Sequence, residues 1–260
     1  MKVHIPFGTK LNLYGFIDTG TGLKIEETGL AGKAEVLVGK TEMALAVWRK
    51  KEYEPVYTYD FSTRIWGIDT VGELAMSYGD NYFTLNADNN ILSKTKRKNE
   101  WIPRASIGFG RAFDFMDVSD RIMVNTEFYY NHTGYNDNIL ADEKIYPWAV
   151  LPSSSPLVIA GTKKTFLMRN NMYQVNDLSR GYAALFVSLR RFIITDMNLS
   201  FNVITNLIDN SGIIASGISY SNINDFSWSF NVYGYFGNDN SEYTFMNTGL
   251  TVRLTAGIKF

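Results

Sequence analysis

The sequence predicts an all-β chain, a transmembrane antiparallel up-and-down β-barrel of twelve strands, with fourteen as the alternative count. Three observations lead there. Apolar and polar residues alternate with a period of two in segment after segment. Aromatic residues make up 15% of the 260, beside 21 Gly and only 6 Pro, a composition that suits many short strands. The polar parity consists mainly of Ser, Thr, Asn, Gly and Tyr rather than Lys and Glu. Side chains in a strand alternate faces, so each such segment has one apolar and one polar face. A soluble barrel turns its apolar face inward and covers the outer face in charge. Here the apolar parity is free of charge, which suits lipid, and the weakly charged polar parity suits a watery interior.

Alternation and turn residues place strands at 10–17, 33–38, 42–49, 70–78, 82–87, 104–112, 120–131, 182–190, 197–206, 213–220, 226–235 and 248–260. The last is the cleanest, with Leu250, Val252, Leu254, Ala256, Ile258 and Phe260 set against Thr251, Arg253, Thr255, Gly257 and Lys259. Phe226, Trp228, Phe230 and Val232 repeat the pattern, as do Met197, Leu199, Phe201 and Val203. Connections alternate long and short, and the short ones, Gly39-Lys40-Thr41, Gly79-Asp80-Asn81 and 221–225, hold residues that tolerate left-handed backbone. That rhythm predicts one domain over 1–260 with an even strand number and both termini on the side of the short turns. The stretch 132–181 is too long for an ordinary loop and reads as an extracellular or constriction loop. A hairpin hidden at Thr165–Val175 would raise the count to fourteen.

The charges exclude several functions. With 25 Lys and Arg against 26 Asp and Glu there is no basic footprint for nucleic acid. No segment reaches the ~18 apolar residues of a helical span, and the N-terminus lacks the profile of a secretion signal, as expected of a mature chain. The chain has no Cys, hence no disulfide and no thiolate site. The pairs Glu26-Glu27 and Asp142-Glu143 lack calcium-loop spacing, so no metal and no cofactor are expected.

The opening Leu11-Asn12-Leu13-Tyr14-Gly15-Phe16-Ile17-Asp18-Thr19-Gly20 resembles the first strand of Gram-negative general porins. The closing Thr251–Phe260 resembles the C-terminal assembly signal of outer-membrane β-barrels, whose terminal aromatic, here Phe260, is read by the barrel-assembly machinery. These resemblances imply a porin-like protein integral to the bacterial outer membrane, with both termini periplasmic. The implied partners are outer-membrane lipid, lipopolysaccharide and small hydrophilic solutes, with the oligomeric state open.

If the apolar parity faces lipid, Glu35, Glu42, Glu73, Arg104, Arg121, Glu127, Arg190, Arg253 and Lys259 line the pore, with Tyr14, Tyr233 and Tyr235. Early strands then supply an acidic arc and late strands a basic one, a field that sorts solutes by charge and dipole. The bland alternative pairs these charges and plugs the interior. Trp48, Trp66, Trp101, Trp148 and Trp228 read as interfacial aromatics. The tract Lys94-Thr95-Lys96-Arg97-Lys98 reads as a solvated loop or a contact for lipopolysaccharide phosphates. His132 is the one candidate for rim lipid hydrolysis; a resembling phospholipase phrase would place Ser two residues on, where Gly134 stands. The expectation is therefore a non-enzymatic channel for passive diffusion of small hydrophilic solutes. Its alternatives are an autotransporter-type translocator and a plugged structural or adhesive barrel acting through 50–69 and 132–181.

Overall fold

The computed structural model describes residues 1–19, 27–151, 157–221, 226–246 and 249–258. The chain is all-β, and its largest element is an antiparallel sheet of thirteen strands. In chain order the strands are β1 (Lys2–Phe7), β2 (Leu11–Asp18), β3 (Gly29–Val38), β4 (Thr41–Lys50), β5 (Val56–Ile65), β6 (Ile68–Tyr78), β7 (Thr84–Asp88), β8 (Ile91–Thr95), β9 (Trp101–Phe115), β10 (Val118–Asn131), β11 (Tyr146–Leu151), β12 (Leu157–Gly161), β13 (Gly181–Arg190), β14 (Met197–Asn206), β15 (Ser211–Ser221), β16 (Phe226–Phe236) and β17 (Leu250–Ile258). One helix, α1 (Lys163–Arg169), precedes β13. The large sheet omits β7, β8, β11 and β12, which form two separate hairpins. Among the described residues no helix is long and apolar enough to cross a membrane.

The chain divides into two compact units interleaved in sequence. One holds Met1–Ile107, Tyr130–Thr133 and Asp142–Gln174; the other holds Gly108–Tyr129, Gly134–Ala141 and Val175–Phe260.

In the first unit β1 to β6 pair in sequence order. Two of these strands correct the expected count of twelve. β1 alternates Val3, Ile5 and Phe7 against Lys2, His4 and Pro6, and all six residues pair with β2, Pro6 opposite Asn12. β5 occupies what was expected to be loop 50–69. It joins β6 through Trp66 and Gly67, both at positive φ (52° and 79°), the backbone of a two-residue hairpin turn without the usual Asn-Gly. The expected strand 82–87 falls instead in the hairpin β7–β8, outside the large sheet. Thirteen therefore replaces twelve, and the alternative of fourteen fails as well. Thr165–Val175 forms no strand, since α1 covers 163–169, capped by the Thr162 hydroxyl accepting from the Thr165 N–H.

In the first unit short and long connections still alternate, one step out of the expected phase. Gly8–Lys10, Gly39–Lys40 and Trp66–Gly67 are short, whereas 19–28 is long. Met1 exchanges backbone hydrogen bonds with Ile17, next to that long connection. The N-terminus thus lies at the long-connection end of its unit, while β17 runs away from the long connection 237–249.

Parts of the β6–β9 and β10–β13 connections fold into a cap in the first unit. β8 packs on β11, and Leu92, Tyr146 and Phe166 form a buried cluster with Leu85, Trp148 and Met172 against it. Trp148 is thus a core residue of this cap, 5.3 Å from the Phe166 ring, rather than an interfacial aromatic. The Asp142 carboxylate accepts from Lys163 Nζ (2.8 Å) and Tyr146 Oη (2.8 Å), which hold its carboxyl down at about 2.

Candidate functional site

Register sorts the side chains of the large sheet into two faces. In the first unit one face collects Val3, Ile5, Phe7, Leu11, Leu13, Ile17, Val36, Leu45, Val47, Tyr57, Tyr59, Phe61, Leu74 and Met76. In the second unit one face holds Leu185, Val187, Leu199, Phe201, Ile214, Ile218, Phe230, Val232, Val252 and Leu254. These side chains are not packed into a core: Leu45 is 64% exposed and Leu254 73% exposed. Aromatic groups close the ends of this face. At the long-connection end of the first unit Trp101 meets Tyr78 (5.5 Å between ring centres) and Tyr57 (6.5 Å) edge-on. Where β15 ends and β16 begins in the second unit, Tyr220, Phe226 and Trp228 lie together.

The opposite face of the first unit is acidic. Asn12 and Tyr14 on β2 oppose Glu35 and Lys33 on β3, and both donate to Glu35 (3.2 and 3.3 Å). Lys33 Nζ lies 3.5 Å from Glu35 and 3.5 Å from Asp60 on β5. Asp60 is directly opposed in register to Glu73 on β6, and Glu42 to Ser62. Like charges directly opposed cost a sheet stability. Glu42 and Glu73 have no ion pair among the described residues to offset that cost. A cavity of about 390 Å³ opens between Glu42, Asp60, Ser62, Val71, Glu73 and Ser106.

In the second unit the face opposite its apolar set carries cations and amides. Arg190 opposes Asn198, and Arg253 opposes Asn231 while its guanidinium lies 5.8 Å from the Tyr233 ring centre. Tyr233 and Tyr235 oppose Ala215 and Ile213. Glu127 borders a second cavity, of about 200 Å³, with Tyr129, Tyr182, Phe186 and Ile204.

Tyr14, Glu35, Glu42, Glu73, Arg190, Arg253, Tyr233 and Tyr235 stand opposite the apolar set of their own unit in register, and Arg104 and Arg121 are held by specific partners. Arg104 is held by buried Asp80 (3.3 Å) and the Thr133 hydroxyl (3.0 Å). Arg121 donates to the carbonyls of Arg190 (3.3 Å) and Arg191 (2.9 Å), stapling β10 to the β13–β14 turn. Glu35 is the hub of the Asn12–Tyr14–Lys33 cluster. Lys259 and Phe260 lie outside the described residues. His132 Nδ1 is 3.2 Å from the Tyr130 hydroxyl, while the neighbouring Thr133 hydroxyl bonds Asn131 and Arg104.

Sequence reasoning missed Lys33 and Asp60. Asp60 sits on β5, where Tyr57, Tyr59, Phe61 and Ile65 alternate with Thr58, Asp60, Ser62 and Arg64, a signal hidden by the long-loop reading. It also missed a buried polar cluster around Glu242, in the connection between β16 and β17. The Glu242 carboxylate accepts from Tyr182 Oη (2.8 Å), Asn206 Nδ2 (2.7 Å) and the Asn176 N–H (2.9 Å). Burial pushes this carboxyl up to about 7.

Comparison with known proteins returns nothing: no family model, no curated protein and no solved structure matches the chain.

Proposed function

We propose that this protein is a bacterial outer-membrane β-barrel channel, through which small hydrophilic solutes diffuse passively along the polar face of the sheet. The observation that carries this reading is the exposed apolar face, which spans β1 to β6 in one unit and β13 to β17 in the other. Soluble proteins rarely expose contiguous apolar patches above a few hundred Å². Lipid is the cover that such a face fits, and the aromatic clusters at strand ends match interfacial girdles. With that face in lipid, the polar face is the one left to water. Selectivity then comes from Glu42, Asp60 and Glu73 on the early strands and from Arg190 and Arg253 on the late ones, by the field they set across the passage.

Refolded protein in a planar bilayer under a salt gradient tests the proposal. Discrete conductance steps are expected. The reversal potential should move toward anion selectivity in Glu42→Gln/Glu73→Gln and toward cation selectivity in Arg190→Gln/Arg253→Gln. A folded protein without conductance refutes the channel.

A second reading has its own observation. The packed cap of β7–β8, β11–β12 and α1 is a folded surface built from two connections, and it fits a barrel that acts by binding through its long-connection end. Deleting 82–96 would abolish that activity and leave conductance intact.

A further inference from the structure

We propose that the connection between β16 and β17 is a latch, seated on the polar face of β13–β15 by the side chain of Glu242 and released when that seat is lost. Beyond the channel reading, this assigns the segment Asn238–Met246 two states.

The geometry is that of a docked plug rather than a solvated loop. Ser241 and Glu242 are 0% and 2% exposed, although the connection joins two strands at their ends. Beneath them runs a row set by register, Tyr182 opposite Asn206 and Asn206 opposite Ser211, all on the polar face. Glu242 takes hydrogen bonds from Tyr182 and Asn206 of that row and from the Asn176 N–H, while its own N–H donates to Asp209 Oδ2 (2.7 Å). The Tyr243 N–H reaches Ser211 Oγ (3.4 Å), and Ser211 Oγ in turn donates to Asp209 Oδ1 (2.6 Å). The Phe245 N–H donates to the Ser241 carbonyl (2.9 Å), which closes the segment into one turn. Gly237 is the pivot. Its φ is +137°, and a Cβ there would lie 2.5 Å from Ser211 Cβ, so the segment can enter this close only through glycine.

The seat has one weakness, which is charge. The groups that meet Glu242 are Tyr182 from β13, Asn206 from β14, Asp209 from the β14–β15 connection and the Asn176 N–H from the segment leading into β13. Asp239 and Tyr243 belong to its own connection. The Asp177 carboxylate accepts from Tyr129 Oη (2.8 Å). Arg180, in the segment leading into β13, donates its Nε–H to the Gly134 carbonyl (3.3 Å). Among the described residues no cation pairs with Glu242.

A buried carboxylate facing a second carboxylate favours its neutral form, so burial and Asp209 raise the Glu242 carboxyl from 4.5 to about 7, against the three donors that lower it. The sign follows from linkage. A carboxyl whose seated pKa exceeds its free value stabilises the seat fully below the free pKa, near 4.5, and loses that stabilisation as pH rises through about 7. Between pH 5 and pH 8 the closed-to-open ratio falls roughly 70-fold by that relation.

Hydrogen exchange of the peptide 238–246, corrected for intrinsic rates, reads the latch directly in detergent-refolded protein. In the wild type, protection should fall roughly 70-fold from pH 5 to pH 8. In Glu242→Gln, which keeps the shape but cannot ionise, the protection ratio between the two pH values should be flat, whatever its level. Wild-type protection that does not vary with pH overturns the proposal, as does the same fall in Glu242→Gln. The wild-type titration needs no variant to fold. Conductance at the two pH values then separates the readings. A pH-dependent latch without any conductance leaves this proposal standing and refutes the channel.

Discussion

Replacing Leu45 by Arg distinguishes lipid from water at the apolar face more sharply than any other single change. Leu45 lies mid-way along β4, with Thr41 four residues away at the short-turn end and Lys50 five away at the other. At ~3.4 Å per residue, tilted ~40°, it stands about 10 Å in from the Thr41 end, near the middle of an apolar band ~25 Å tall. An Arg at the midplane of a lipid-facing strand costs about 2–4 kcal/mol, whereas the same change on a water-exposed surface stays within about 0.5 kcal/mol. Leu45 is 64% exposed and no core packing would be lost, so the two environments give separable answers. The control is Ser62→Arg on the polar face, where Glu42 and Glu73 border the same cavity and an added cation should be neutral or stabilising. Guanidinium unfolding from phospholipid vesicles measures both. A Leu45→Arg variant within 0.5 kcal/mol of wild type would refute the membrane assignment of this face; a cost of about 3 kcal/mol, with Ser62→Arg unchanged, would carry it.

Other perturbations test the rest of the structure. Gly134→Ala should destabilise by about 2–3 kcal/mol in the same unfolding assay, because a Cβ there would lie 2.3 Å from the Ser179 carbonyl carbon, which is backbone and cannot turn aside. Phe166→Ala should remove about 3 kcal/mol from the cap, seen as faster proteolysis within 142–174 while the large sheet keeps its strand circular dichroism. Cap stability should stay flat above pH 4 and fall as pH drops toward about 2, because Lys163 and Tyr146 hold the Asp142 carboxyl below its ordinary 3.8. Lys163→Met should flatten that acid limb in a pH series of proteolysis rates.

The two faces of the sheet were legible in the sequence because alternation is a local property: residues i and i+2 share a face whichever strand lies alongside. Once Leu250–Ile258 and Met197–Asn206 read as strands, Arg253 and Asn202 had to stand opposite the apolar set, and register places them there. Glu35, Glu42, Glu73 and Arg190 follow by the same rule.

What the sequence by itself determined is therefore the strand character of the chain and the side to which each charge turns. Only the tertiary structure decided which strands join. β5 depended on a tight turn at Trp66–Gly67 that lacks the usual residues, and β1 carries a proline, which local reading counts against a strand. The cap and the latch were beyond local reading for a different reason. Leu92, Tyr146 and Phe166 meet across more than seventy residues, and Glu242 finds Tyr182 at a separation of 60. No periodicity encodes such contacts. They exist because buried apolar and polar groups must each find partners, and the nearest ones are set by the folded sheet.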